Sequence, residues 1–525
     1  MYDPSVRGLQ ARAGVIAAAL LLASCAVGPD FVHPAPPDTA RYTKEPLTAG
    51  TSSTDAPTGQ SQHFAQGRDV SREWWRLFKS RALDALIERA LNNNPNLQSA
   101  IASLRAANQA VYAQEGKFFP LVEANANPTY NRTSAALTPI PSTGATIYAL
   151  HTAQLQVSYT LDIWGLNRRA VETLQAQANM QRFQVEAAYL TLVSNIAVAA
   201  INEASLRAQI DATNQIIANN TKMLDVLQRQ LDTGYANRNA VALQEASLAQ
   251  AAATLPPLRK ALQQNRDMLS ALAGAYPSEG PHETFRLTDV QLPTDLPVSL
   301  PSQLIEQRPD IRAAQEQLHT ASAQIGVATA NMLPSFTISG NVGYMNTALA
   351  GLLAPQNLFW TVAGNATQTV LDGGALFHEL QEAKDNYNAT AWSYRGVVIG
   401  AVQNVADALR ALQNDADALK AARNFERAAR ISFDLAHQQT ETGNANVLIL
   451  LTAQQTYLQS VIQVVQARAA RLTDTAALYQ ALGGGWWNRV QPLPEKHLDV
   501  GTGDVTPVSD KDKEEGFLRG LWPFN

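Results

Sequence analysis

The chain has 525 residues, a formal net charge of −5, 16% charged residues and a single cysteine. That charge fraction is below the roughly 25% usual for soluble domains, and no Lys/Arg cluster stands out, which argues against a nucleic-acid binder. One thiol leaves no intramolecular disulfide, the eight histidines are scattered without an H-x-x-x-H pair, and no nucleotide-binding or nucleophile motif occurs, so the sequence makes no case for an enzyme, a metal site or a cofactor.

The N-terminus opens with Arg7 and Arg12, then an apolar stretch from Ala13 to Ala23. About eleven residues cannot span a bilayer but suit a signal-peptide core. It ends in Leu22-Ala23-Ser24-Cys25, which resembles a lipobox. Cys25 is then the lipidated mature N-terminus, carrying a diacylglyceryl thioether; the alternative is an ordinary secretory signal with a chance cysteine. Ala26 follows, where an aspartate in many bacteria retains lipoproteins in the inner membrane. Residues 25–70, rich in Pro, Thr, Ser and Ala, are expected to form an extended tether.

The body is a tandem repeat. Asn94-Pro95-Asn96-Leu97 is echoed by Arg308-Pro309-Asp310-Ile311, and Phe118-Phe119-Pro120 by Met332-Leu333-Pro334, the prolines displaced by 214 positions in both cases. Leu161-Asp162-Ile163-Trp164-Gly165 is echoed by Leu371-Asp372-Gly373-Gly374, and Thr233-Gly234-Tyr235-Ala236-Asn237 by Thr442-Gly443-Asn444-Ala445-Asn446. In each half a proline opens a helix of about 24 residues, as proline's first-turn preference predicts, and a second proline closes it. Two strand-like runs follow: 121–132 with 148–160, then 335–344 with 359–370. Leu155, Val157 and Tyr159 alternate with polar neighbours, the pattern of a β-hairpin.

From Gly165 to Gly234 and from Gly374 to Gly443 there is no proline, and both intervals are 69 residues. At 1.5 Å per residue each helix is about 100 Å long, too long for a compact core. Apolar residues recur every 3.5 positions along both, as coiled-coil packing requires. Lys384 and Asp415 interrupt the second series; Glu203 and Asn220 fall in the first. Pro256-Pro257 is expected to break a later helix.

Two hairpins supply four strands, whereas membrane barrels have at least about eight and open sheet edges do not persist in lipid. Three chains together give twelve. The layout resembles the TolC family of outer-membrane efflux proteins. The lipobox, with the run from Leu300 to Ala314 that contains Arg308-Pro309-Asp310-Ile311-Arg312, resembles the NodT-type lipoprotein branch; Ala481-Leu482-Gly483-Gly484-Gly485-Trp486 also matches. The resemblance covers about Cys25 to Trp487 and implies a mainly α chain with a membrane β-barrel. In that fold a homotrimer shares a twelve-stranded barrel, continuous with a long α-helical coiled-coil tunnel.

Residues 1–24 are then a signal peptide, 25–70 the tether and 71–300 the first repeat, with hairpin 121–160 and helix 165–233. Residues 301–487 are the second repeat, with hairpin 335–370 and helix 374–442, and 488–525 a tail. The equatorial region is expected from about 71–94, 256–301 and the C-terminal segment.

The resemblance further implies a passive outer-membrane duct, lipid-anchored and barrel-inserted. A periplasmic adaptor and a resistance-nodulation-division inner-membrane pump deliver drugs or other small solutes to it. Thr233, Gly234 and Tyr235, with Thr442, Gly443 and Asn444, match the tip turns that dock the adaptor. Relatives often place acidic residues six and nine positions after the tip glycine; here those positions hold Ile449 and Thr452, and Ala240 in the other half. Leu448 matches a position where the lipoprotein branch can carry a leucine ring, so Leu448, Ile449 and Thr452 are the candidate periplasmic gate. The alternative is that Leu448 and Leu451 are coiled-coil core, with charge near the tip coming from Arg238 or Glu245. Other functions left open are metal-ion efflux, type I protein secretion, and a non-conducting periplasmic coiled-coil lipoprotein.

Overall fold

The computed structural model describes residues 26–39, 41–134, 147–441, 447–489, 493–494, 496–498 and 505–507. Cys25 and Thr442, Gly443 and Asn444 lie outside the described residues. In chain order the elements are β1 (His63–Gln66), α1 (Arg81–Asn93), α2 (Pro95–Glu115), β2 (Leu121–Arg132), β3 (Ile147–Leu161), α3 (Leu166–Asp232), α4 (Arg238–Ala253), α5 (Leu255–Leu272), β4 (Asp295–Val298), α6 (Pro301–Gln307), α7 (Pro309–Asn331), β5 (Ser335–Asn346), β6 (Leu358–Thr367), α8 (Ala375–Glu441), α9 (Val447–Ala481), β7 (Lys496–Leu498) and β8 (Val505–Pro507).

The chain divides into two compact units. The first combines the segment up to Pro34 with residues 104–181 and 314–394. Its centre is one antiparallel sheet in the order β2-β3-β5-β6. The two hairpins join through β3 and β5, from His151 opposite Asn346 to Leu161 opposite Phe336. Gly343 faces Gln154 there, and a Cβ on it would lie 2.3 Å from Ala153 O, so this crossing needs glycine.

The two long helices begin in the same way. Asp162 accepts from the Asn167 and Arg168 N–H groups at 2.8 and 3.0 Å; Asp372 accepts from Gly374 and Leu376 at 2.8 and 2.9 Å. Each carboxylate satisfies donors that a helix start leaves orphaned, at the positive end of the helix dipole. The Leu376 and then the Gly374 N–H hold the Asp372 carboxyl below the usual range. Both α3 and α8 then run 67 residues.

The second unit combines 35–103, 182–313 and the chain from 395 onward. The apolar series buries here: Val185, Tyr189, Leu192, Ile196 and Ala199 on α3, and Val398, Ala401, Val405, Leu412 and Leu419 on α8. Each fully buried large side chain contributes about 1.5–3 kcal/mol. Trp74 stacks on Tyr479 at 5.3 Å and meets Phe78 edge-on. Glu203, fully buried, is paired by Arg266 at 2.8 Å and Arg207 at 2.7 Å, which offsets its desolvation. Among the described residues α3 alone has a window apolar enough to cross a membrane, and 67% of that window is buried in the protein, as core.

One expectation is corrected. Residues 25–70 are not a free tether. In the first unit Arg169 donates to Val27 O, Gly28 O and Asp30; in the second β1 pairs in parallel with β4. Arg471, 0% exposed, donates to Thr58 O at 2.8 Å, Gln60 O at 2.7 Å, Thr51 Oγ1 at 2.9 Å and Gln62 Oε1 at 3.3 Å. A Pro-, Thr- and Ser-rich stretch makes few ladder bonds of its own, so guanidinium groups satisfy its carbonyls. The helix break expected at Pro256-Pro257 is present: α4 ends at Ala253 and α5 starts at Leu255, with proline in its first turn. The C-terminal segment contacts α2: Gln98 donates to Pro494 O at 2.9 Å and accepts from Lys496 N at 3.0 Å.

Candidate functional site

Strand alternation and register assign each sheet residue to a face, because directly opposed residues point the same way. One row runs Val122, Val157, Gly340, Val362 across the four strands; the next runs Ala124, Leu155, Val342, Trp360; the next Ala126, Ala153, Tyr344, Leu358. These three rows are built of apolar and aromatic residues, yet Leu155, Val342 and Trp360 are 49%, 46% and 71% exposed. The opposite face reads Glu123, Gln156, Asn341, Thr361, then Asn125, Gln154, Gly343, Phe359. A broad apolar face that nothing among the described residues covers requires an apolar surrounding; apolar-out and polar-in is the pattern of a membrane barrel wall. Within the chain β2 and β6 are edges, each with one side unpaired, and such edges cannot persist in lipid.

At the far end of α3, Thr233, Gly234 and Tyr235 form an exposed turn. Gly234 has φ +80°, the left-handed region that glycine enters without steric cost, and a Cβ there would meet open space. Tyr235 and Ala236 N–H groups both return to Gln230 O, closing the helix, and Asn237 caps α4 through Ala240 N at 2.9 Å. Tyr235 is 88% exposed. Beneath the turn α3, α4, α8 and α9 meet in a core of Met223, Leu227, Val241, Ala436, Leu450 and Ala453.

The candidate gate residues lie on a separate strip of α9. Leu448 and Ile449 are 54% and 56% exposed and Thr452 is exposed, whereas Leu450 and Leu451 are buried. The core reading therefore holds for Leu451 and not for Leu448. Thr452 Oγ1 donates to Leu448 O at 2.9 Å, which stacks the two one turn apart. Ala240 is buried at the start of α4, while Arg238 and Glu245 are exposed near the turn.

Two polar clusters were not assigned from sequence. Asn220, on α3, accepts from Gln454 on α9 and, through its carbonyl, from Gln244 on α4 at 3.0 Å, an amide cluster inside the tip core. Its signal was a polar residue in an apolar heptad series, a known register-fixing device. Asp415 on α8 faces Asp474; burial first, and then that neighbouring carboxyl, push its pKa up to about 7 despite Arg471.

The outer membrane efflux protein family matches residues 86–275 and 300–484 of this chain. The chain belongs to that family. Relatives include the pyoverdine export outer membrane protein OpmQ of Pseudomonas aeruginosa, 28% identical over 498 residues, 92% of this chain and 98% of that one. The toluene efflux pump outer membrane protein TtgC of Pseudomonas putida is 26% identical over 476 residues, 90% and 95% of the two chains. The outer-membrane channel OprN superposes with a TM-score of 0.78 at 24% identity, covering 88% of this chain and all of that one. The Campylobacter jejuni CmeC channel gives 0.78 at 19% identity, covering 88% and 95%. As a member of this family the chain is an outer-membrane channel of a tripartite efflux system.

Proposed function

We propose that three copies of this efflux channel close one twelve-stranded barrel, each β2 edge pairing with the β6 edge of a neighbour. The observation that carries this reading is the four-stranded sheet with an uncovered apolar face and two open edges. The Thr233-Gly234-Tyr235 turn, with Thr442-Gly443-Asn444, docks a periplasmic adaptor. Leu448, Ile449 and Thr452, in three copies each, narrow the periplasmic entrance without an acidic ring, which leaves that constriction weakly cation-selective. Cys25 carries the lipid. The inner-membrane partner is a resistance-nodulation-division pump, and the solutes are drugs or other small molecules; relatives are named for toluene and for pyoverdine. The channel works by passive conduction and performs no catalysis.

Purified protein in a planar bilayer tests the reading. Discrete ionic conductance steps are expected. Trimers that insert yet never conduct would instead support a non-conducting coiled-coil lipoprotein.

A further inference from the structure

A cavity of about 1030 Å3 in the second unit is lined by three side-chain cations, Arg68, Lys79 and Arg468, and by Tyr479. The two carboxylates on its wall are no counter-ions by contact. Asp69 accepts from the Trp487 indole at 3.1 Å, the Asn488 amide at 2.8 Å and the Val70 N–H at 2.8 Å. Asp295 is exposed at the start of β4, and among the described residues it makes no ion pair with the three cations. Among the described residues three buried groups of its lining side chains have no hydrogen-bond partner: the hydroxyls of Thr58 and of Tyr479, a residue 0% exposed, and Nε of Arg468. Among the described residues the only hydrogen bond of the Arg468 guanidinium is a long one, from Nη2 to Leu287 O at 3.3 Å.

Buried polar groups are almost always paired, so the under-bonded Arg468 guanidinium, with the exposed Arg68 and Lys79 beside it, calls for an acceptor that carries negative charge. The volume is at the upper end of the roughly 300–1,000 Å3 of small-molecule sites, far more than a lone inorganic ion needs. Leu77, 40% exposed, and the buried Val290 add an apolar stretch to the wall. We propose that this cavity binds a small organic anion. Its carboxylate or phosphate head is taken by the Arg468 guanidinium, with Arg68 and Lys79 adding charge, and its apolar body lies against Leu77 and Val290.

Lys79 is exposed and reports occupancy through its rate of acetylation, read by mass spectrometry on the full-length protein in detergent. Benzoate, phenyl phosphate and neutral benzamide are the probes, at matched ionic strength, with exposed Lys420 as internal control. At least one anion is expected to slow labelling of Lys79 and not of Lys420, benzamide neither; the better anion identifies the head group. Arg468→Gln is expected to raise the anion concentration for half-protection about tenfold or more. Equal Lys79 labelling in all solutions overturns the proposal. So does benzamide protecting as well as the anions, or protection unchanged in Arg468→Gln.

Discussion

Leu448 and Thr452 project from the strip of α9 that the buried Leu450 and Leu451 leave bare. Truncating an exposed side chain opens no cavity in the fold, so a functional effect is separable from a folding effect. Leu448→Ala and Thr452→Ala are each expected to raise single-channel conductance or opening frequency with trimer yield unchanged. Wild-type conductance in both variants removes these residues from the gate. Asp415 makes a different prediction. Its pKa is raised from 3.8 to about 7, by burial foremost and then by Asp474. The folded chain therefore holds a proton that the unfolded chain has released. The stabilising contribution is full below about 3.8 and is lost as pH rises through about 7. Arg471 does not cancel the effect, because its donors are engaged by Thr51, Thr58, Gln60 and Gln62. Thermal stability is expected to fall between about pH 5.5 and pH 8, and Asp415→Asn to flatten that fall; an equal fall in the variant contradicts this account of the Asp415–Asp474 contact.

At the scale of elements, the repeats were legible because each boundary carries local chemistry. Glycine 165 and 374 precede helices that begin at Leu166 and Ala375, and the Leu-Asp echo places Asp162 and Asp372 where their carboxylates cap those helices. The alternation of Leu155 and Val157 gave β3 its apolar face. The partner of β3 was not legible: its pairing with β5 joins residues far apart in sequence, and alternation alone fixes no register. The segment 25–70 was misread for the same reason, since Arg471 lies 413 positions from Thr58, whose carbonyl it holds. Lys384 was a real break, because that part of α8 stays exposed, whereas Asn220 and Asp415 proved to have specific partners. The tip turn is the element best isolated for a test. Tyr235 is 88% exposed, so Tyr235→Asp removes no buried contact. If the turn docks the adaptor, adaptor affinity is expected to fall about tenfold or more, as loss of an interface aromatic does, and drug resistance to drop with trimers intact. Full resistance in that variant removes Tyr235 from the docking surface.

For the whole molecule, the central claim is that one chain contributes a third of a closed barrel. The order β2-β3-β5-β6 puts the two edges three strand spacings apart, about 14 Å at roughly 4.8 Å each. Cysteines placed in both edges of the same chain, Asn125→Cys on β2 and Ala363→Cys on β6, are therefore too far apart for a disulfide within the chain. A short bismaleimide linker accommodates an edge register that need not be exact. Only a neighbour's β6 brings the two sites together, and a ring of three closes on itself. The most direct measurement is the denatured mass of the double variant after cross-linking in outer membranes. The account predicts a covalent trimer as the limiting species, with each single variant giving no trimer. Monomer alone, or a ladder extending past three chains, would contradict it.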